Sequence, residues 1–147
     1  MTRLGRSAAI SALLGLSLAG CVRPVPAQGP VRVVAPAQVI YNKTALVGQT
    51  TAIDFAYDVN PDCSVKEIPT IRVINPPVHG TVQIFEKEDF TAFAQSNSRF
   101  DCNKKKSKGA AISYTPNPGY VGGDYLEFET FFSNGTDRTA KIAITVK

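Results

Sequence analysis

Asp124-Tyr125-Leu126-Glu127-Phe128-Glu129-Thr130-Phe131-Phe132, then Ser133-Asn134-Gly135-Thr136, then Arg138-Thr139-Ala140-Lys141-Ile142-Ala143-Ile144-Thr145-Val146, is the stretch whose reading decides the fold. In its first run Leu126, Phe128, Thr130 and Phe132 fall on one side. In its last run Ala140, Ile142, Ile144 and Val146 point one way and Thr139, Lys141, Ala143 and Thr145 the other. A period of two is the mark of a strand with one face on a core. Asn134-Gly135 between the runs tolerates positive φ, so the two strands are expected to close as a hairpin.

The same period recurs toward the N-terminus. Ala111–Thr115 puts Ile112 and Tyr114 together, and Thr81–Phe85 and Ile71–Ile74 are short β-rich runs. Between the latter two, Asn75-Pro76-Pro77-Val78-His79-Gly80 is a turn that no helix would tolerate. In Ala52–Val59, alternation places Ile53, Phe55, Tyr57 and Val59 on one face. No long helical pattern appears. About seven short strands within residues 37–147 predict an all-β fold, an antiparallel β-sandwich. Phe85–Lys108 breaks the pattern, and its Glu86–Ala94 part reads as a helical turn or a bent insertion.

Pro77-Val78-His79-Gly80-Thr81-Val82 and Tyr114-Thr115-Pro116-Asn117-Pro118-Gly119-Tyr120-Val121-Gly122-Gly123-Asp124 carry a resemblance. They are similar to the bacterial Ig-like and cadherin-like repeats of surface and exported proteins, with Leu126 and Phe128 at the family's aromatic positions. The resemblance spans residues 71–147 and implies an Ig-like sandwich, while function on such a fold is grafted onto loops. It implies that Asp124 accepts backbone hydrogen bonds in a Pro/Gly corner anchored by Tyr120. A calcium ligand is the sharper alternative for Asp124, but the acidic linker cluster and neighbouring repeat of cadherins are missing. The Cys63/Cys102 pair and the 86–108 insertion are not in the generic pattern.

At the N-terminus, Arg3 and Arg6 precede an apolar stretch from Ala8 to Ala19, and Leu18-Ala19-Gly20-Cys21 follows. A basic segment, an apolar segment and small residues at the cut make a secretory signal over residues 1–20. The last four residues resemble the bacterial lipoprotein processing box, which implies lipidation of Cys21 and a membrane partner reached through that anchor. Val25-Pro26-Ala27 is the alternative cut of a plain signal, though it lies beyond the apolar run. A retained membrane span ranks below that alternative, since a dozen apolar residues fall short of about 30 Å. Residues 21–36, with Pro24, Pro26, Pro30 and Pro36, read as an extended tether of roughly 3 Å per residue. Val22 after the cysteine points to the outer membrane, periplasmic side, in a Gram-negative host.

Cleavage before Cys21 would remove Arg3 and Arg6 and halve the formal net charge of +4. Neither that balance nor an exported address suits a nucleic-acid partner. With Cys21 lipidated, Cys63 and Cys102 are left in an oxidising compartment and are expected to form a disulfide, closing a loop worth roughly 3–4 kcal/mol. A metal or redox pair is the competitor, but there is no Cys-x-x-Cys and His79 is the only histidine.

A Ser/His/Asp arrangement would need His79 with, for example, Ser113, and no nucleophile-elbow motif surrounds any serine. Phosphate loops, dinucleotide fingerprints and metal-spaced clusters are missing too, so no catalytic residue, metal or cofactor is expected. Glu127 and Glu129 share the outward face of one strand, where solvated charges are commoner than catalytic carboxylates. The candidate partner-binding residues are Phe90, Phe93, Phe100, Lys104, Lys105 and Lys106, because aromatics beside cations on a loop are typical interface anchors. The bland alternatives are a solvated loop tip for the lysines and a capped core end for the phenylalanines. The expected function is a non-catalytic envelope binding or scaffold module that contacts a protein or a glycan. A passive spacer is the alternative, and an accessory subunit of an envelope enzyme the outsider.

Overall fold

The Asn-Gly hairpin forms where the alternation puts it. β8 (Gly122–Phe131) and β9 (Asp137–Val146) pair antiparallel, with Leu126 opposite Ile142 and Phe128 opposite Ala140. Gly135 takes φ +79 at the turn, and the Asn134 side chain accepts from the Thr136 N–H and hydroxyl. The computed structural model describes residues 37–147; the signal segment, Cys21 and the tether lie outside the described residues.

The other strands are β1 (Ala37–Ala45), β2 (Thr51–Ala56), β3 (Asp58–Val59), β4 (Val65–Glu67), β5 (Thr70–Asn75), β6 (Gly80–Phe90) and β7 (Lys106–Pro116), with one 3-10 turn at Phe100–Lys104. They make a four-stranded sheet in the order β1-β9-β8-β5, a three-stranded sheet in the order β2-β7-β6, and the small hairpin β3-β4. The fold is all-β. Pairing is antiparallel except between β1 and β9, which run parallel from Ala37 beside Arg138 to Ala45 beside Val146. Side-chain alternation fixes which residues face inward and says nothing of a neighbour's direction. A parallel pair needs only a long connection, and the rest of the domain lies between these two strands.

Both sheets contribute to a single hydrophobic cluster. Ile71, Leu126, Phe128, Ala140, Ile142, Ile144 and Val146 come from one, and Ile53, Ala56, Ala110, Ile112 and Tyr114 from the other. β7 lies between β2 and β6 and is buried on both faces, so Ala111 and Ser113 are as hidden as Ile112.

Two expectations are corrected. First, Ile53, Phe55, Tyr57 and Val59 do not share a face. The β2/β7 register slips between Ala52 and Asp54, so Ile53 is an extra residue in a bulge. Ile53, Ala56 and Val59 are buried, while Phe55 and Tyr57 are only half-buried and pack on each other at 5.6 Å. Second, Glu86–Phe90 is no helical turn. It continues β6, paired through Phe90 opposite Lys106, and leaves only residues 91–105 as the irregular segment. Among the described residues β6 is an edge strand, and its charges Glu86, Lys87, Glu88 and Asp89 suit an edge that must not recruit another strand.

Candidate functional site

The Pro/Gly corner at one end is structural. The Asp124 carboxylate accepts from the backbone N–H groups of Val78, His79 and Tyr125 and from the Tyr114 hydroxyl. Four donors match the acceptor capacity of a carboxylate. Burial pushes its pKa up, but the Tyr125 N–H, the Tyr114 hydroxyl and the N–H groups of Val78 and His79 outweigh it, so the carboxyl titrates below its ordinary value. Burial first, and then its hydrogen bond to the Asp124 carboxylate, raise the Tyr114 hydroxyl far above the ordinary tyrosine range. Tyr120 stacks on His79 at 4.0 Å and donates to the Gly123 carbonyl, so the lone histidine serves the turn.

The opposite end is built differently. There the β3-β4 hairpin, the 91–105 segment and the turn between β8 and β9 meet. Cys63 and Cys102 are bonded, with Cα atoms 5.3 Å apart, and join that hairpin to the 3-10 turn. Arg99 Nε donates to the Val59 carbonyl, and the Ser133 hydroxyl donates to Asp58. Asn103, next to Cys102, accepts from the Phe93 N–H and the Thr91 hydroxyl and donates to the Phe93 carbonyl. The disulfide-bonded turn therefore fixes the backbone at Phe93. Its ring meets Tyr57 edge-on at 5.1 Å, and the Tyr57 hydroxyl accepts from the Ala92 N–H.

These rings border a cleft of about 430 Å³ at the seam between the sheets. Tyr41 of β1 and Arg138 of β9 come from one sheet, Asp54, Phe55 and Ala56 of β2 from the other, with Tyr57, Phe93 and Phe132 beside them. Arg138 Nη2 pairs with the Asp54 carboxylate across the seam, their side chains 26% and 19% exposed. The Nε of Arg138 is buried and finds no acceptor among the described residues. A second cleft of about 300 Å³ shares Asp54, Phe55 and Tyr57 and adds Lys43, Lys87, Asp89 and Phe90. Lys87 lies 5.3 Å over the Phe55 ring and bonds Asp89 at 2.6 Å.

The six candidate binding residues are spread over three features. Phe93 lines the first cleft and Phe90 the second. Phe100 sits in the 3-10 turn, 40% exposed. Lys104 pairs with Asp101, Lys106 lies 5.8 Å over the Phe90 ring, and Lys105 is exposed. Glu127 and Glu129 lie in cross-strand pairs, Glu129 with Arg72 at 2.6 Å, Glu127 with Asn75 at 2.5 Å and Lys141 at 3.9 Å.

No known family, curated protein or solved structure matches this chain. Function is therefore read from its own chemistry. Sequence reasoning passed over Asp54, Tyr57, Asn103 and Arg138. For Arg138 a signal existed, since it is in phase with Ala140, Ile142, Ile144 and Val146, a charge on the apolar face of its strand. Asp54 was hidden by the bulge, and Tyr57 and Asn103 act through contacts distant in sequence.

Proposed function

We propose that this chain is a lipid-anchored protein of the bacterial cell envelope whose Ig-like sandwich is a non-catalytic binding module. The observation that carries the reading is the seam cleft, with aromatic walls and a cross-sheet ion pair, held by a disulfide-bonded loop cluster at one end of a rigid two-sheet core. Loops positioned by a scaffold are where such folds bind. The order β2-β7-β6 against β5-β8-β9 supports the Ig-like assignment, since Ig domains set B-E-D against C-F-G. Export is supported by the basic and apolar segments before Leu18-Ala19-Gly20-Cys21 and by a cysteine pair at bonding distance. β1 starts beside Arg138, so the described chain enters the domain at the cleft end.

The test has two arms. Cys21→Ser should release the protein from membrane fractions and abolish labelling by a fatty-acid probe; pelleting at high salt refutes the anchor. The full chain, purified in detergent, should bind isolated envelope fragments saturably, and Tyr57→Ala with Phe93→Ala should weaken that binding. Unsaturable binding leaves a passive spacer as the correct reading, and saturable binding that the double variant keeps in full refutes the cleft as its site.

A further inference from the structure

We infer that the seam cleft binds a saccharide, specifically an uncharged sugar ring of an envelope polysaccharide; this rests on the binding-module reading and names its ligand class. The charged part of the cleft lining is the Asp54–Arg138 pair. Because the two charges already neutralise each other, no surplus charge selects an ionic ligand. An apolar ligand is disfavoured too, since it would strip water from both ions and return no hydrogen bonds. A vicinal diol satisfies both members at once. One hydroxyl donates to the Asp54 carboxylate and its neighbour accepts from the Arg138 guanidinium, with the ion pair left intact.

The walls suit the rest of a sugar ring. Tyr41, Tyr57, Phe93 and Phe132 offer ring surface to the apolar C–H face of a pyranose. The arrangement of two of them is set before any ligand arrives: Tyr57 is held by the Ala92 N–H and packed edge-on against Phe93, whose backbone is bonded on both sides by Asn103. Such pre-ordering lowers the entropy lost on binding. A volume of about 430 Å³ falls within the usual range for small-ligand sites. The adjoining cleft of about 300 Å³ shares Asp54 and Phe55 and gives a second sugar unit a place to continue the chain.

The experiment uses isotope-labelled full chain in a zwitterionic detergent with no sugar headgroup. Cellobiose, maltose and N,N′-diacetylchitobiose are each titrated to about 20 mM while amide and arginine side-chain resonances are followed, a range that reports millimolar dissociation constants. At least one sugar is expected to shift the Arg138 Nε–Hε signal and the amides of Asp54, Phe55 and Phe93 saturably. Phe93→Ala should raise that dissociation constant about fivefold or more, in line with the loss of one aromatic stacking contact. Val121→Ser, at the opposite end of the domain, should leave it unchanged. Asp54→Asn should also weaken binding, and if that variant loses its native spectrum, Phe93→Ala still decides the matter. No saturable shift with any of the three sugars, shifts confined to residues outside the cleft, or unchanged affinity in Phe93→Ala overturns the saccharide assignment. Saturable envelope binding without any sugar response overturns the ligand class alone, whereas loss of both responses overturns the binding module as well.

Discussion

Removing the Cys63–Cys102 bond is the perturbation with the most worked consequences. The two residues are 39 apart in sequence, and a loop of that length constrains the unfolded chain by about 4 kcal/mol in the chain-entropy account. The bonds from Arg99 to Val59 and between Asn103 and Phe93 involve no sulfur, so the folded variant is expected to keep them and the cost to arise mainly in the unfolded chain. Cys63 has φ 67, the left-handed region, in the tight turn of the β3-β4 hairpin. A side chain there costs about 1 kcal/mol, and glycine escapes that cost while giving part of it back through its freer unfolded chain. Two double variants therefore separate the terms. Cys63→Ser with Cys102→Ser should lose about 3–4 kcal/mol against the parent protein. Cys63→Gly with Cys102→Ser should lose less, by about 0.5 kcal/mol. Urea unfolding followed by circular dichroism reads both, and the slope against urea should rise in the variants because their unfolded chains expand further. The reasoning is refuted if both variants lie within about 1 kcal/mol of the parent, or if the serine pair is the more stable.

Gly109→Ala would set a Cβ 2.4 Å from the Ala56 carbonyl oxygen and 2.6 Å from the Phe55 ring. The ring can move and the carbonyl cannot, so a loss of about 1–3 kcal/mol is expected in urea unfolding, with Phe55 displaced from the cleft wall. Asp124 has its folded pKa below the unfolded value, so its contribution to stability is fully present above about pH 4 and is lost as pH falls through the folded pKa. Urea midpoints measured down to pH 2 should show that acid decline in the parent and a shallower one in Asp124→Asn. Reversing Lys104, Lys105 and Lys106 together to glutamate should change neither the urea midpoint nor saturable envelope binding; a salt-sensitive loss of binding would move the contact from the cleft to the loop.

The strands were legible wherever a core face alternates with a solvent face. β8 and β9 fall where Leu126, Phe128, Ala140, Ile142 and Ile144 put them, because each inward residue meets a partner across the ladder and the Asn-Gly turn sets the register. Legibility failed where alternation is broken or carries no information. The extra residue at Ile53 turns Phe55 and Tyr57 out of the core, and a bulge has no sequence mark of its own. Glu86–Asp89 is charged because it forms an edge, and an edge strand with polar side chains has the composition of a loop.

The candidate site was half legible for a related reason. Phe90 and Phe93 stood out as aromatics without an assigned core role, and each lines a cleft. The lysines stood out by density alone, a property of solvated loops as much as of contacts. Asp54 and Arg138 were invisible as a pair because they are 84 residues apart and belong to different sheets. A charge in phase with a strand's apolar residues must find its counter-charge wherever the other sheet can supply one. At Arg138 that supply is the β2 bulge, which turns Phe55 and Tyr57 outward and leaves Asp54 at the seam. One inserted residue thus brings both Asp54 and the Phe55 and Tyr57 rings to the cleft lining, so the irregularity that defeated the strand pattern is also what makes the cleft.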